Sequence, residues 1–194
     1  DWSQMRVPPA MLTARMGGLV TAVTELDDKR LVMMLDVEKI LADTTDFDDE
    51  HLFVTLIPLE KPNRTLLYAD DSSVARKQIE RTLQALGVNG IATMNGRQAW
   101  DELQKIAVQA ETSGRQASDF IQVVLTDVEM PEMDGYVLTK NIKSDPRFHG
   151  IPVLMHSSLS SDANRNLGLS VGVDEYVPKF EPHRLAEVLS RMVK

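Results

Sequence analysis

The sequence predicts an α/β domain on a parallel sheet, preceded by a smaller, mainly β piece. One observation predicts the first part. From residue 65 onward, short apolar runs alternate with stretches of helical periodicity through five units. Units of this kind give a parallel sheet with helices on both faces. The second observation concerns the first 60 or so residues. There two β-rich runs flank Asp27-Asp28-Lys29, and no strand–helix alternation follows.

Composition bounds the rest. The chain has 194 residues, 43% of them apolar, enough for a real core. No apolar run approaches the roughly 18–20 residues needed to cross a bilayer. The opening "DWSQMRVPPAM" has neither the charged nor the apolar region of a signal peptide. Cysteine is absent, which excludes disulfides, thiolate zinc sites and a cysteine nucleophile. The net charge of −8 argues against a general nucleic-acid binder. A soluble, cytoplasmic protein is expected. The chain opens on Asp1, and we expect it to be a fragment of something longer.

The elements follow in order. Residues 19–26 and 30–35 are rich in β-formers, and the acidic turn between them predicts a β-hairpin. Asp36 then caps a short helix with Val37, Ile40 and Leu41 on one face. "ADTTDFDDEH" and "IPLEKPNRT" mark a linker. We therefore expect residues 1–60 as one piece with its linker, and 61–194 as the second domain. In that domain the expected strands are 65–69, 90–94, 121–126, 152–156 and 175–177. The expected helices are 73–86, 97–110, 135–144, 161–169 and 182–193. The helix at 73–86 carries Val74, Ile79, Leu83 and Leu86 at helical spacing and ends at Gly87.

Open α/β sheets form their sites beyond the carboxyl ends of the strands. Asp70-Asp71, Asp127, His156-Ser157-Ser158 and Lys179 fall there. Alone, each has an ordinary reading: an Asp or Ser after a strand caps the next helix, and a lysine is a solvated charge. Together, three carboxylates repel by about 4 kcal/mol per pair near 4 Å at an effective dielectric of about 20. A divalent cation relieves that repulsion, and few oxygen ligands suit Mg²⁺. The chemistry suggested is phosphoryl transfer onto Asp127, with Lys179 pairing the product and Ser157 hydrogen-bonding a phosphoryl oxygen. The four histidines, His51, His149, His156 and His183, show no metal-ligand spacing and are read as surface or local packing residues.

"YADDSS" (68–73), "VVLTDVEMPEMDGYVL" (123–138), "IPVLMHSS" (151–158) and "DEYVPKF" (174–180) resemble the motifs of a response-regulator receiver domain, in its order and at its spacing. The resemblance implies a flavodoxin-like fold with a five-stranded parallel sheet. It implies a phosphoacceptor at Asp127 and a Mg²⁺ held by Asp70, Asp71, Asp127 and the backbone carbonyl of Glu129. Asp71 would be a direct ligand and Asp70 would act through water. Lys179 would be the lysine partner, Ser157 the switching hydroxyl and Tyr176 the aromatic switch. Two departures stand out, and Glu129 adds a charge. The family usually has Pro after the lysine in a cis peptide, whereas Phe180 follows Lys179 here and Pro178 precedes it. A cis bond before Phe180 would cost about 3 kcal/mol more than trans. Ser158 stands where a small alanine is common, and Glu129 brings a side-chain charge to the site.

"GGLVTAVTELDDKRLVMMLDVEKILAD" (17–43) is similar to the closing part of a CheW-like coupling domain. A CheW-like piece before a receiver is the arrangement of CheV-type chemotaxis coupling proteins, here lacking most of the first subdomain. That resemblance implies a phosphorylatable adaptor that contacts chemoreceptors (methyl-accepting chemotaxis proteins) and takes its phosphoryl group from the histidine kinase CheA. It implies neither nucleic-acid binding nor membrane insertion. Its only catalysis would be its own phosphorylation and dephosphorylation. A receiver joined to a non-chemotaxis module is the nearest rival. A haloacid-dehalogenase phosphatase fits less well, since it needs a second Asp where Glu129 stands.

Overall fold

In the computed structural model, residues 64–157 and 162–192 are described, with 6, 8–9, 16, 19–26, 28–35, 40, 53 and 55–58 before them. The chain divides into two compact units, Asp1–Asp48 and Asp49–Lys194.

In the first unit β1 (Val20–Glu25) and β2 (Leu31–Leu35) pair antiparallel, with Val23 opposite Met33. The turn forms where the acidic dipeptide predicts it. The Leu26 amide donates to the Arg30 carbonyl, and the Asp28 carboxylate accepts from the Arg30 amide and guanidinium. Lys29 takes the left-handed backbone (φ 65°) that closes the loop. Every residue of β2 is exposed. Of the helix expected from Asp36, Val37 and Leu41 lie outside the described residues, as does most of the linker.

The second unit carries the parallel sheet, in the order β4-β3-β5-β6-β7. Its strands are β3 (Thr65–Ala69), β4 (Asn89–Thr93), β5 (Val123–Asp127), β6 (Val153–Ser157) and β7 (Glu175–Pro178). Its helices are α1 (Ser73–Leu86), α2 (Gly96–Thr112), α3 (Gly135–Ser144), α4 (Asp162–Val171) and α5 (Pro182–Met192). The expected alternation is present, and the fold is the flavodoxin-like α/β class. Boundaries move by one or two residues. Two such shifts matter: β5 ends on Asp127 and β6 on Ser157, so both expected site residues are the last of their strands.

Successive side chains of a strand point to opposite faces. Leu66, Tyr68, Val123, Leu125, Leu154 and Val177 therefore meet α1 and α5 through Ile79, Leu83, Leu185 and Leu189. Leu67, Ala69, Val124 and Val153 meet α2 and α3 through Leu103, Ile106, Leu138 and Ile142. Each fully buried Leu or Val contributes about 1.5–3 kcal/mol over the exposed state. These two layers fix the sheet that presents the strand ends. Within the same unit, Leu56 packs on the first layer and Arg81 of α1 lies 4.4 Å from the Phe53 ring centroid.

Helix starts are set by side chains that accept backbone N–H bonds. Ser72 caps α1, Asn95 caps α2 and Asp134 caps α3. The bonds on either side of Phe180 are trans, and Phe180 itself turns the chain at φ 63°. The loop after Lys179 thus bends through a left-handed residue rather than a cis bond.

Candidate functional site

Strand register builds the site. Ala69 pairs with Thr126, and Asp127 pairs with His156. Asp70, one step beyond Ala69, therefore comes level with Asp127 and His156 across β3, β5 and β6. Ligand oxygens of Asp70, Asp71 and Asp127 all lie within 4.8 Å of one another. Asp70 and Asp127 are buried and Asp71 is exposed.

Local bonds hold each acid. Asp70 Oδ1 accepts the Ser72 amide at 2.9 Å. The Arg76 guanidinium on α1 donates to the carbonyls of Asp70 (2.7 Å) and Asp71 (2.9 Å), so the acidic turn is clasped by the first turn of the helix it precedes. Asp127 Oδ1 accepts the Val128 amide at 2.7 Å. Gly135, the first residue of α3, sits against the Asp127 carbonyl so closely that a Cβ would collide with it. That explains the glycine of the 134–135 pair: the chain must pass directly beside the strand end.

Lys179 reaches in from the loop after β7. Its ammonium lies 3.0 Å from Asp127 Oδ2 and 3.1 Å from Asp70 Oδ2. The Lys179 amide donates to the Ser157 carbonyl, which ties this loop to the end of β6. Ser157 is itself buried. Tyr176 is half-buried on β7 and packs with Val128, Met155 and Val173. Its hydroxyl occupies the space a side chain at Gly168 of α4 would fill. Glu129 is exposed, in the bend just past β5. Ser158 lies outside the described residues.

The two buried acids are tuned in opposite directions. For Asp70, burial opposes ionisation, but His156, Lys179 and the Ser72 amide outweigh it and hold the carboxyl below its ordinary range. For Asp127, burial dominates. With the Asp70 charge added, and against the pull of Lys179 and the Val128 amide, it pushes the carboxyl up to about 7.

The donor set fits a small hard cation. It is all oxygen, and among the described residues buried Asp70 Oδ2, although ion-paired with Lys179 at 3.1 Å, accepts no hydrogen bond. One lysine shared between two carboxylates leaves the group with excess negative charge.

Of the two expected readings of His156, surface or local packing, the structure gives the buried one and sets it beside the acidic pocket. It is 3% exposed, and its Nδ1 lies 3.8 Å from Asp70 Oδ2. The missed signal is its register: a ring-bearing polar residue interrupts the apolar run 151–155 just where β6 comes level with Asp127. Spacing along the chain does not reveal that.

Among the described residues, no helix is long and apolar enough to cross a membrane. The profile of the response regulator receiver domain family matches residues 66–190. The chemotaxis protein CheV2 of Helicobacter pylori is 34% identical over 178 residues, covering 90% of this chain and 53% of that protein. The chemotaxis protein CheV1 of the same organism is 26% identical over 195 residues, covering 100% of this chain and 58% of that protein. The chain thus spans a little over half the length of these relatives, and the second alignment runs through both units. Among solved structures, chemotaxis protein CheY4 of Vibrio cholerae superposes with a TM-score of 0.55 at 28% identity, covering 66% of this chain and 98% of that one. The chain is similar to the CheV chemotaxis proteins along its length, and through residues 66–190 it belongs to the response regulator receiver domain family.

Proposed function

We propose that the chain is a phosphorylatable chemotaxis adaptor of the cytoplasm, with residues 1–60 as the end of a CheW-like coupling domain plus linker and 61–194 as its receiver. The observation that carries this reading is the shared ion pair: Lys179 lies at hydrogen-bonding distance from both Asp70 and Asp127, beside exposed Asp71. The donor would be the phosphohistidine of the kinase CheA, and the coupling piece would contact CheA and chemoreceptors.

Asp127 is the acceptor. A carboxylate oxygen of Asp127 forms the new P–O bond while the P–N bond of the donor breaks. The electron pair returns to the donor imidazole, which takes up a proton. Asp70, Asp71, Asp127 and the Glu129 carbonyl would hold Mg²⁺. When bound, the cation would offset the charge of the incoming phosphoryl group. Lys179 pairs with the phosphorylated carboxylate, and Ser157 donates its hydroxyl to a phosphoryl oxygen. Tyr176 follows Ser157 and passes the change to the face formed by β6, α4 and β7. The protein turns over no external substrate; its chemistry is on itself.

Asp127→Asn should abolish labelling by a small phosphodonor such as acetyl phosphate, and Asp71→Ala should weaken Mg²⁺ binding. Label persisting in the Asn variant would remove Asp127 from its role. The adaptor role is tested separately, by co-sedimentation of the full-length protein with receptor–kinase assemblies. Absence of association in both phosphorylation states would leave a receiver joined to some other module.

A further inference from the structure

We propose that His156 is a positioning residue of the acidic pocket, holding the Asp70 carboxylate in place beside Lys179 and still holding it once Lys179 turns to the phosphorylated acceptor. This rests on the receiver reading above.

Asp70 is wholly buried, and its two oxygens face different partners. Oδ1 is fixed by the Ser72 amide at 2.9 Å. Oδ2 faces Lys179 Nζ at 3.1 Å and His156 Nδ1 at 3.8 Å. The lysine is not a dedicated partner, since its ammonium is also 3.0 Å from Asp127 Oδ2. A phosphoryl group on Asp127 offers that ammonium new oxygen acceptors, and charge-assisted bonds to phosphoryl oxygens are among the stronger ones. Among the described residues, the imidazole is then what remains beside Asp70 Oδ2.

At 3.8 Å the ring is too far for a hydrogen bond and too near to be indifferent. A shift of less than 1 Å would close the bond. His156 can hold this station because β6 fixes it. Its strand neighbours Met155 and Ser157 are buried, its own backbone pairs with Asp127, and its side chain is itself buried. An outer partner that orients a ligating carboxylate commonly changes metal affinity by about 10- to 100-fold when removed.

The test is Mg²⁺ titration of the 194-residue chain by calorimetry, with melting in the absence of Mg²⁺ as the control for folding. His156→Leu keeps the volume and removes the donor. His156→Asn places an amide nitrogen near the position of Nδ1. We expect the Leu variant to lose about tenfold in Mg²⁺ affinity and the Asn variant to recover most of it, at unchanged melting temperature. The same order is expected for labelling by acetyl phosphate. If the Leu variant does not fold, His156→Val, suited to a buried strand, replaces it. A Leu or Val variant that binds Mg²⁺ as tightly as the unaltered chain overturns the inference. So does an Asn variant that falls as far as Leu. Asp71→Ala separates the two levels of argument: if it binds Mg²⁺ like the unaltered chain, the pocket reading itself fails and the inference falls with it.

Discussion

Strands β5 and β2 have equal length and opposite surroundings. β2 is Leu31-Val32-Met33-Met34-Leu35, apolar throughout and exposed throughout. β5 is Val123-Val124-Leu125-Thr126-Asp127, with a hydroxyl and an acid, and every residue is buried. Apolar content alone would rank them the other way. The difference lies in layering. β5 is the middle strand of five and has helices over both faces, whereas β2 has one partner strand among the described residues of its unit. A buried strand can carry an acid only where other groups meet that acid, and β5 ends among Lys179, the Val128 amide and Asp70. The burial that makes β5 stable also makes Asp127 chemically unusual.

The largest effect expected from this contrast is in the core of β5. Leu125 is fully buried between β3, β6 and the α1/α5 layer. Leu125→Ala should destabilise the receiver by about 3 kcal/mol, within the range of about 2–5 for such truncations. Urea unfolding followed by circular dichroism reads this directly. A loss below about 1 kcal/mol would mean that β5 is less tightly packed than its burial indicates.

That same contrast explains what was legible in the sequence. The runs at 65–69 and 121–126 declared themselves because both faces are covered, so apolar residues fill them. Asp70, Asp71, Asp127, Ser157 and Lys179 were found because the carboxyl ends of parallel strands share one edge. His156 falls on that edge too, but its link to Asp70 was not legible, because Asp70 is two strands away and far off in sequence. Only register brings the two together. The one-residue shifts that put Asp127 and Ser157 inside their strands have the same origin. Pairing continues as long as the neighbour offers partners, and the chain's own pattern does not say where that stops. The exposure of β2 was hidden for the converse reason, since an apolar strand looks the same whether or not anything covers it.

A smaller effect tests the acid at the end of β5. The Asp127 carboxyl stands at about 7 in the folded chain against an ordinary 3.8. Its proton is therefore bound more tightly in the folded state than in the unfolded one. This contribution to stability is fully present below about pH 4 and is lost as pH rises through about 7. Above that, the folded chain carries an unfavourable buried charge. Asp127→Asn removes the titration, so the variant should gain stability over the unaltered chain as pH rises. Without Mg²⁺, the gain should be about 2 kcal/mol larger at pH 8 than at pH 5, allowing about 1.4 kcal/mol per pH unit as the ceiling. Parallel urea melts at the two pH values check the sign. A gain that shrinks toward pH 8 would mean that Lys179, rather than burial, governs Asp127.

The smallest effect belongs to β2 and bears most directly on the contrast. Leu31 is 69% exposed at the start of that strand. Replacing an exposed residue removes little buried area and opens no cavity, so Leu31→Ser should change stability by less than about 0.5 kcal/mol. Serine also has lower strand propensity than leucine, so what loss occurs should be confined to the hairpin. Hydrogen exchange can separate the two units. Protection at Val23 and Met33 should fall slightly, and protection across β3, β5 and β6 should not move. A loss above about 1 kcal/mol, or reduced protection in β5, would show that something covers β2 in solution. The contrast between the strands would then be one of degree, and the apolar face of the hairpin would be a packed surface rather than an open one.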